Sequence, residues 1–188
     1  MGPGGKLDRI KATIMDADAI ERSLVRIAHE ILERNKGTAE LALVGIRTGG
    51  AYLALRLAEN IKRIEGVDVP SGTLDVTMYR DDFASGKKKL PGKTEIDFTV
   101  AGMKIVLVDD VLYTGRTIRA AMDSLMDLGR PRQIQLAVLV DRGHKELPIT
   151  PDYVGKNVPT SHREAVKVLF REQGGPDEVV ILEKDGEG

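Results

Sequence analysis

Two adjacent carboxylates, Asp109 and Asp110, end an apolar run in "KIVLVDDVLYTGRT" (Lys104 to Thr117), and Thr114-Gly115-Arg116-Thr117 follows them after three residues. Gly115 lets the backbone turn closely around a ligand, and Thr114 and Thr117 supply hydroxyl donors. A helix starting there presents unpaired N–H groups and the positive end of its dipole. Together these make an anion cradle suited to phosphate. The acids cannot serve that same anion, because like charges repel. Ionised carboxylates accept hydrogen bonds from sugar hydroxyls or hold a divalent cation. A phosphorylated sugar, with magnesium, satisfies both halves; the plainer alternative is a pair of capping residues on an ordinary strand-to-helix turn.

The flanking patterns show what would position these residues. "DADAIERSLVRIAHEILERNKG" carries Ile20, Leu24, Ile27, Ile31 and Leu32 at helical spacing, with Asp16 or Asp18 as N-cap and Gly37 as stop. Leu41 to Gly45 is wholly apolar and suits a strand buried on both faces. Helical spacing returns over Ala51 to Ile64, so a strand, a glycine turn and a helix follow in order. "TLDVTM" alternates Leu74, Val76 and Met78 with polar residues and predicts a less buried strand. Tyr79 to Gly102, which includes Lys87, Lys88 and Lys89, has little apolar periodicity and predicts a long exposed loop, either a functional lid or a solvated tip. Ile105 to Val108 is a second buried strand, Thr117 to Leu128 a helix, and Ile134 to Val140 a third strand. This order implies a parallel sheet with right-handed crossovers. The last forty residues, with "DYVGKNV", "AVKVLF" and "EVVILE" as short strands, predict an edge or small subdomain. Residues 1–10 are expected to be a disordered or artificial tail, and 11–188 a single domain.

In an open α/β sheet ligands bind beyond the carboxyl ends of the strands, where "VDDVLYTGRT" lies. Four apolar residues, two acids and Thr-Gly-Arg-Thr resemble the phosphoribosyl pyrophosphate signature of the type I phosphoribosyltransferases. More narrowly, "VLVDDVLYTGRT", "LGRPRQIQLAVLVDRGHKELPI" and "DYVGKNVPTS" resemble the family of pyrimidine operon attenuation regulators that double as uracil phosphoribosyltransferases. The resemblance runs from about Lys11 to Leu182. It implies an α/β fold of type I phosphoribosyltransferase kind: a mostly parallel sheet flanked by helices, with a small C-terminal strand-rich hood. It also implies conversion of uracil and phosphoribosyl pyrophosphate, with Mg2+, to UMP and pyrophosphate, and UMP-dependent binding of the pyrimidine-operon leader mRNA.

Carried onto this chain, the resemblance gives Asp109 and Asp110 the ribose hydroxyls and gives Thr114, Gly115, Arg116 and Thr117 the 5′-phosphate, with Val111, Leu112 and Tyr113 between them. "GIRTGG" (Gly45 to Gly50) resembles the pyrophosphate loop, where Arg47, Thr48 and Gly49 would meet the leaving group; by itself it could be an ordinary βα turn. Tyr79, Arg80, Asp81 and Asp82 would open a loop that closes over the site, and lids of this kind exclude water. The base would sit beside Val140, Asp141 and Arg142. Arg26, His29, His144, Lys145 and Lys156, with Arg47, Thr48 and Arg142, are the implied RNA contacts. Three positions depart from the family pattern: Gly49 and Thr150 stand where arginine is usual, and Val25 where a hydroxyl residue is. Two missing cations would weaken a phosphate-dominated interaction.

Composition bounds these readings. With 28 basic and 29 acidic residues among 188, no global field draws the chain to nucleic acid or anionic lipid, so an RNA site must be a local patch. Zero cysteines exclude thiolate chemistry. No apolar run approaches the roughly 18 residues that span a bilayer, and "MGPGGKLDRI" lacks the apolar core of a secretory signal, so cytoplasmic residence is expected. A homo-oligomer, dimer or tetramer, is expected from the family, with the "IERSLVRIAHEIL" stripe as a possible interface. A uracil phosphoribosyltransferase without RNA binding, a transferase for another base, and a non-catalytic nucleotide sensor are the alternatives.

Overall fold

The computed structural model describes residues 9–77 and 93–183. Its elements in chain order are β1 (Arg9–Met15), α1 (Ala17–Asn35), β2 (Leu41–Ile46), α2 (Gly49–Glu65), β3 (Ser71–Leu74), β4 (Lys104–Leu112), α3 (Arg116–Leu128), β5 (Gln133–Asp141), β6 (Tyr153–Asn157), β7 (Glu164–Leu169) and β8 (Glu178–Glu183), with a 3-10 turn at Arg171–Gln173. A five-stranded parallel sheet runs in the order β3-β2-β4-β5-β6. Its strands send alternate side chains to opposite faces. Leu41, Leu43, Val106, Val108, Ala137 and Leu139 pack with α1 and α2, while Ala42, Val44, Ile105, Leu107, Leu136 and Val138 pack with α3. Both faces are covered, which is why these strands carry unbroken apolar runs.

The apolar stripe of α1, Ile20, Leu24, Ile27, Ile31 and Leu32, is buried to 6% exposure or less within the chain's own core. It is therefore not available as the subunit interface expected of it. Asp16 is the N-cap, accepting the Ala19 N–H at 2.8 Å. At the other end Asn35 joins a buried network: Gln135 Nε2 donates to Asn35 Oδ1 at 2.8 Å, and the Tyr153 hydroxyl donates to Gln135 Oε1 at 2.6 Å. Burial pushes the Tyr153 phenol above its ordinary range and outweighs the nearby Arg34. The network fixes α1 against β5 and β6 through satisfied polar groups.

Two expectations about strands change. β3 covers Ser71–Leu74 rather than "TLDVTM", because Asp75 Oδ1 accepts the Thr77 N–H at 2.8 Å and turns the chain out of the sheet. The C-terminal strands also do not stay together. β6 joins the main sheet at its edge, whereas β7 and β8 form an antiparallel sheet with β1 in the order β1-β8-β7. The hood thus combines both ends of the chain rather than the C-terminal end alone. β1 begins at Arg9, inside the expected tail, and of its side chains only Met15 is buried. Its strand form comes from pairing with β8, 164 to 174 residues away, as in Met15↔Val179 and Arg9↔Glu183.

Candidate active site

The turn from β2 into α2 is shaped by glycines. A methyl at Gly45 would collide with Gly50 and Ala51, and one at Gly50 would strike the Val108 carbonyl, so α2 begins flush against β2 and β4. Between them the Arg47–Thr48 peptide is cis. Thr48 makes no side-chain cap to α2, and the first turn holds no acid. α3 starts likewise, with Gly115 at φ 92° in place of a capping side chain and no acid in the first turn. α1, by contrast, is capped by Asp16 and carries Asp18 in its first turn. Helix N-termini left without side-chain caps keep N–H donors and dipole for an anion.

Asp109 and Asp110 lie near the end of β4, ahead of α3. Asp109 Oδ1 accepts the Asp110 N–H at 2.9 Å, and Asp110 Oδ1 accepts the Val111 N–H at 2.8 Å. Each carboxylate is thus oriented by the backbone amide that follows it. Thr114 Oγ1 accepts the Arg116 N–H at 3.3 Å, while the Thr114 carbonyl accepts the N–H groups of Glu146 and Leu147. Arg116 Nε donates to Glu146 Oε2 at 2.7 Å, tying the turn to the loop after β5.

A cavity of about 420 Å³ opens where these pieces converge, lined by Ile46 to Gly49, Asp109 to Val111, Thr117, Val166 to Val168, Phe170 and Gln173. It brings the acid pair, the start of α3 and the start of α2 together beneath β7. Arg47 reaches Thr73 Oγ1 at 3.1 Å and Glu95 at 3.8 Å. The wall from β7, Phe170 and Gln173 was not anticipated. Val166, Val168 and Phe170 alternate at strand spacing, but nothing local says which site they cover.

The other expected residues lie elsewhere. Leu112 is buried, and its carbonyl accepts the Arg142 N–H at 3.1 Å. Val140, Asp141 and Arg142 are not among the lining residues. Val140 is in the core, Asp141 pairs with Lys145 at 3.1 Å, and the Arg142 guanidinium stacks 4.0 Å from the Tyr113 ring centre. His144 meets the Thr160 carbonyl at 2.6 Å and the His162 ring at 4.1 Å between centres. Arg26 and Lys156 share a second concavity of about 340 Å³ with Arg22, Ser23 and Gly155. Arg26 there binds Glu30 and the carbonyls of Val154 and Gly155. His29 is exposed on α1. Arg22 and Ser23 were missed, although their spacing from Arg26 along α1 could have suggested them. Tyr79, Arg80, Asp81, Asp82 and the three lysines after them lie outside the described residues.

The five-stranded parallel sheet with helices on both faces agrees with comparison to known proteins. The chain belongs to the phosphoribosyl transferase domain family, whose model matches residues 12–170. It is 62% identical over 176 residues to Bifunctional protein PyrR of Pelotomaculum thermopropionicum, covering 93% of this chain and 97% of that one. Bifunctional protein PyrR of Geobacter sp. strain M21 is 60% identical over 169 residues, covering 89% and 96%. Among solved structures, the hypoxanthine phosphoribosyltransferase of Trypanosoma cruzi superposes with a TM-score of 0.72 at 17% identity, over 94% of this chain and 98% of that one. That of Staphylococcus aureus gives 0.69 at 19%, over 93% of each. The fold is the type I phosphoribosyltransferase fold that the signature implied. Among the described residues no helix is long and apolar enough to cross a membrane.

Proposed function

We propose that this chain transfers the phosphoribosyl group of phosphoribosyl pyrophosphate to uracil, and that with UMP bound it recognises the pyrimidine-operon leader mRNA as an attenuation regulator. The observation that carries the first half is the single cavity joining Asp109, Asp110 and Thr117 to Arg47, Thr48 and Gly49. Asp109 and Asp110 accept hydrogen bonds from the ribose hydroxyls. The N–H groups from Thr114 to Thr117 and the start of α3 hold the 5′-phosphate. The start of α2, with Arg47, receives the pyrophosphate. In the reaction the bond from uracil N1 to the anomeric carbon forms, the bond from that carbon to pyrophosphate oxygen breaks, and the N1 proton leaves to solvent. Positive charge builds on the ribose and negative charge on the leaving group, so placed charges and dipoles do most of the catalysis.

Among the described residues no three acids or histidines gather into a metal cage. The two cavity carboxylates suit Mg2+ carried on the pyrophosphate oxygens, since that ion is commonly held by one or two carboxylates plus substrate phosphates. Bound there, it would supply positive charge against the leaving group. Asp109 and Asp110 are the side chains that would face it.

The RNA half is supported by the relatives' bifunctional name and by the concavity that joins Arg22 and Arg26 of α1 to Lys156 of β6. Gly49, Val25 and Thr150 favour the second reading, a uracil phosphoribosyltransferase without RNA. A cytoplasmic location, where the leader is transcribed, belongs to the first reading. So does a homo-oligomer, dimer or tetramer, for which exposed Met126 and Leu128 offer apolar surface. Titrating a labelled leader hairpin with and without UMP at two salt concentrations, alongside an assay of UMP formation, tests both halves. Binding indifferent to UMP from an active enzyme selects the second reading; an inactive protein defeats both.

A further inference from the structure

β7 covers the acid pair, yet among the described residues no strand of the main sheet pairs with it: its ladder partner there is β8, and it stands at the edge of the small sheet. Backbone pairing therefore does not set how Val166 to Val168 lie over Asp109 and Asp110. Two arginines, each only 6% exposed, grip the chain at its two ends. At the start of β7, Arg142 Nη2 donates to the Glu164 carbonyl at 2.7 Å and the Ser161 carbonyl at 3.4 Å, and Nε donates to Thr160 Oγ1 at 3.1 Å. Beyond its end, Arg56 donates to both oxygens of Glu172, at 2.9 and 2.6 Å, and to Asp177 Oδ1 at 2.8 Å. Asp177 also accepts the Arg171 N–H at 2.9 Å.

Each arginine is tied to an element that forms another wall of the site, Arg56 as part of α2 and Arg142, which follows β5, through its backbone bond to β4. Arg56 lies two turns along α2 from Gly49, with its guanidinium 5.7 Å from the Phe170 ring centre, and Tyr52 of the same helix meets that ring at 5.3 Å. Arg142 hangs from the end of the acid-bearing strand, its N–H on the Leu112 carbonyl. Other ties to the hood, such as Lys11 to Glu164 and Lys156 to the Ile14 carbonyl, involve exposed lysines and contribute little. A buried guanidinium, by contrast, must keep its partners, and its planar fork fixes their direction as well as their distance.

We infer that Arg56 and Arg142 are positioning residues that clamp the two ends of β7 and so set the height of the hood over the cavity. The role in turnover rests on the transferase reading above, whereas the clamp itself does not. Loosening it moves the wall opposite the acids and leaves the phosphate cradles of α2 and α3 in place. The acceptor base, held between hood and sheet end, then loses affinity before phosphoribosyl pyrophosphate does.

The test uses the full chain with Glu172→Gln and Arg142→Lys, which keep side-chain bulk, and Arg56→Met as the severe variant. Backbone hydrogen exchange in β7 is expected to quicken about tenfold or more in the two mild variants, with β2 and β4 unchanged. Their KM for uracil rises about tenfold, while KM for phosphoribosyl pyrophosphate shifts little. Wild-type exchange in β7, or equal losses for both substrates that follow the folded fraction, overturns the inference. If Arg56→Met fails to fold, the mild variants decide. If the wild type makes no UMP, the transferase reading fails and β7 exchange still decides the clamp.

Discussion

Gly49 and Asp110 share one space: a methyl on Gly49 would fall on the Asp110 carboxylate, with the Phe170 ring 2.9 Å away. The first residue of α2, the second acid of β4 and the hood meet at this point, and a Cβ on Gly49 requires the Asp110 carboxylate to shift. Because the Asp110 carboxylate is the movable partner, Gly49→Ala is expected to act on chemistry more than on folding. Its kcat/KM for UMP formation should fall roughly tenfold to a hundredfold, as sub-ångström to ångström displacements do, with the melting temperature near that of the wild type. Undiminished activity would show that Asp110 works from another position.

Asp109→Asn and Asp110→Asn separate charge from shape. Each asparagine keeps an oxygen for the amide that the carboxylate now accepts, at 2.9 and 2.8 Å. The fold should therefore persist, and circular dichroism can check it. The other oxygen becomes an NH2, which repels a ribose O–H donor. A hydrogen bond to a charged group is worth about 1.5–3 kcal/mol, so kcat/KM should drop roughly tenfold to a hundredfold in each variant. One single variant near wild type, with the double variant no worse than the other single one, would show that only one acid meets the ribose.

The hood clamp carries a pH signature. Hydrogen bonds from Arg56 hold the Glu172 carboxyl below its ordinary value of 4.5. Burial pushes Asp177 up, but the Arg56 and Arg171 donors outweigh it and leave it below 3.8. Both pKa values are lower folded than unfolded, so protonation favours the unfolded chain. The stabilisation is complete above the unfolded values and is lost as pH falls through the folded ones. Urea unfolding should show wild type and Glu172→Gln furthest apart near neutrality and converging from roughly pH 4.5 downward. A constant gap into acid would mean that the Glu172 charge contributes nothing.

Much of the site was legible because its parts are local. The acid pair, Gly115 and the glycines of the β2–α2 turn lie within short runs whose residue types fix the backbone they form. The buried strands were legible too, since two covered faces leave no polar alternation. What the sequence concealed depends on distant partners. β1 is a strand through β8, and the cavity wall at Val166, Val168 and Phe170 belongs to the site only because β7 folds back over β4. Arg142 shows the same limit from the other side: it stands next to site-like residues in sequence, while its guanidinium is used on Ser161, Thr160 and Glu164. The α1 stripe was expected at an interface, and its packing against both α2 and the sheet puts it in the core.

RNA recognition makes a prediction that separates contact from catalysis. Arg22 and Lys156 face one concavity, and neither lines the cavity that holds Asp109 and Asp110. If that concavity carries leader phosphates, Arg22→Gln and Lys156→Gln should each weaken binding at every RNA sequence tested. Each should also lower the slope of log affinity against log salt by about 1, the counterion displaced by one phosphate contact. UMP formation should be unchanged, because neither residue approaches the cavity. Arg26→Gln should behave differently, since its guanidinium supports Glu30 and two carbonyls of β6; it should lose affinity without an equal loss of slope. Unaltered salt dependence in the first two variants would place the leader on another face.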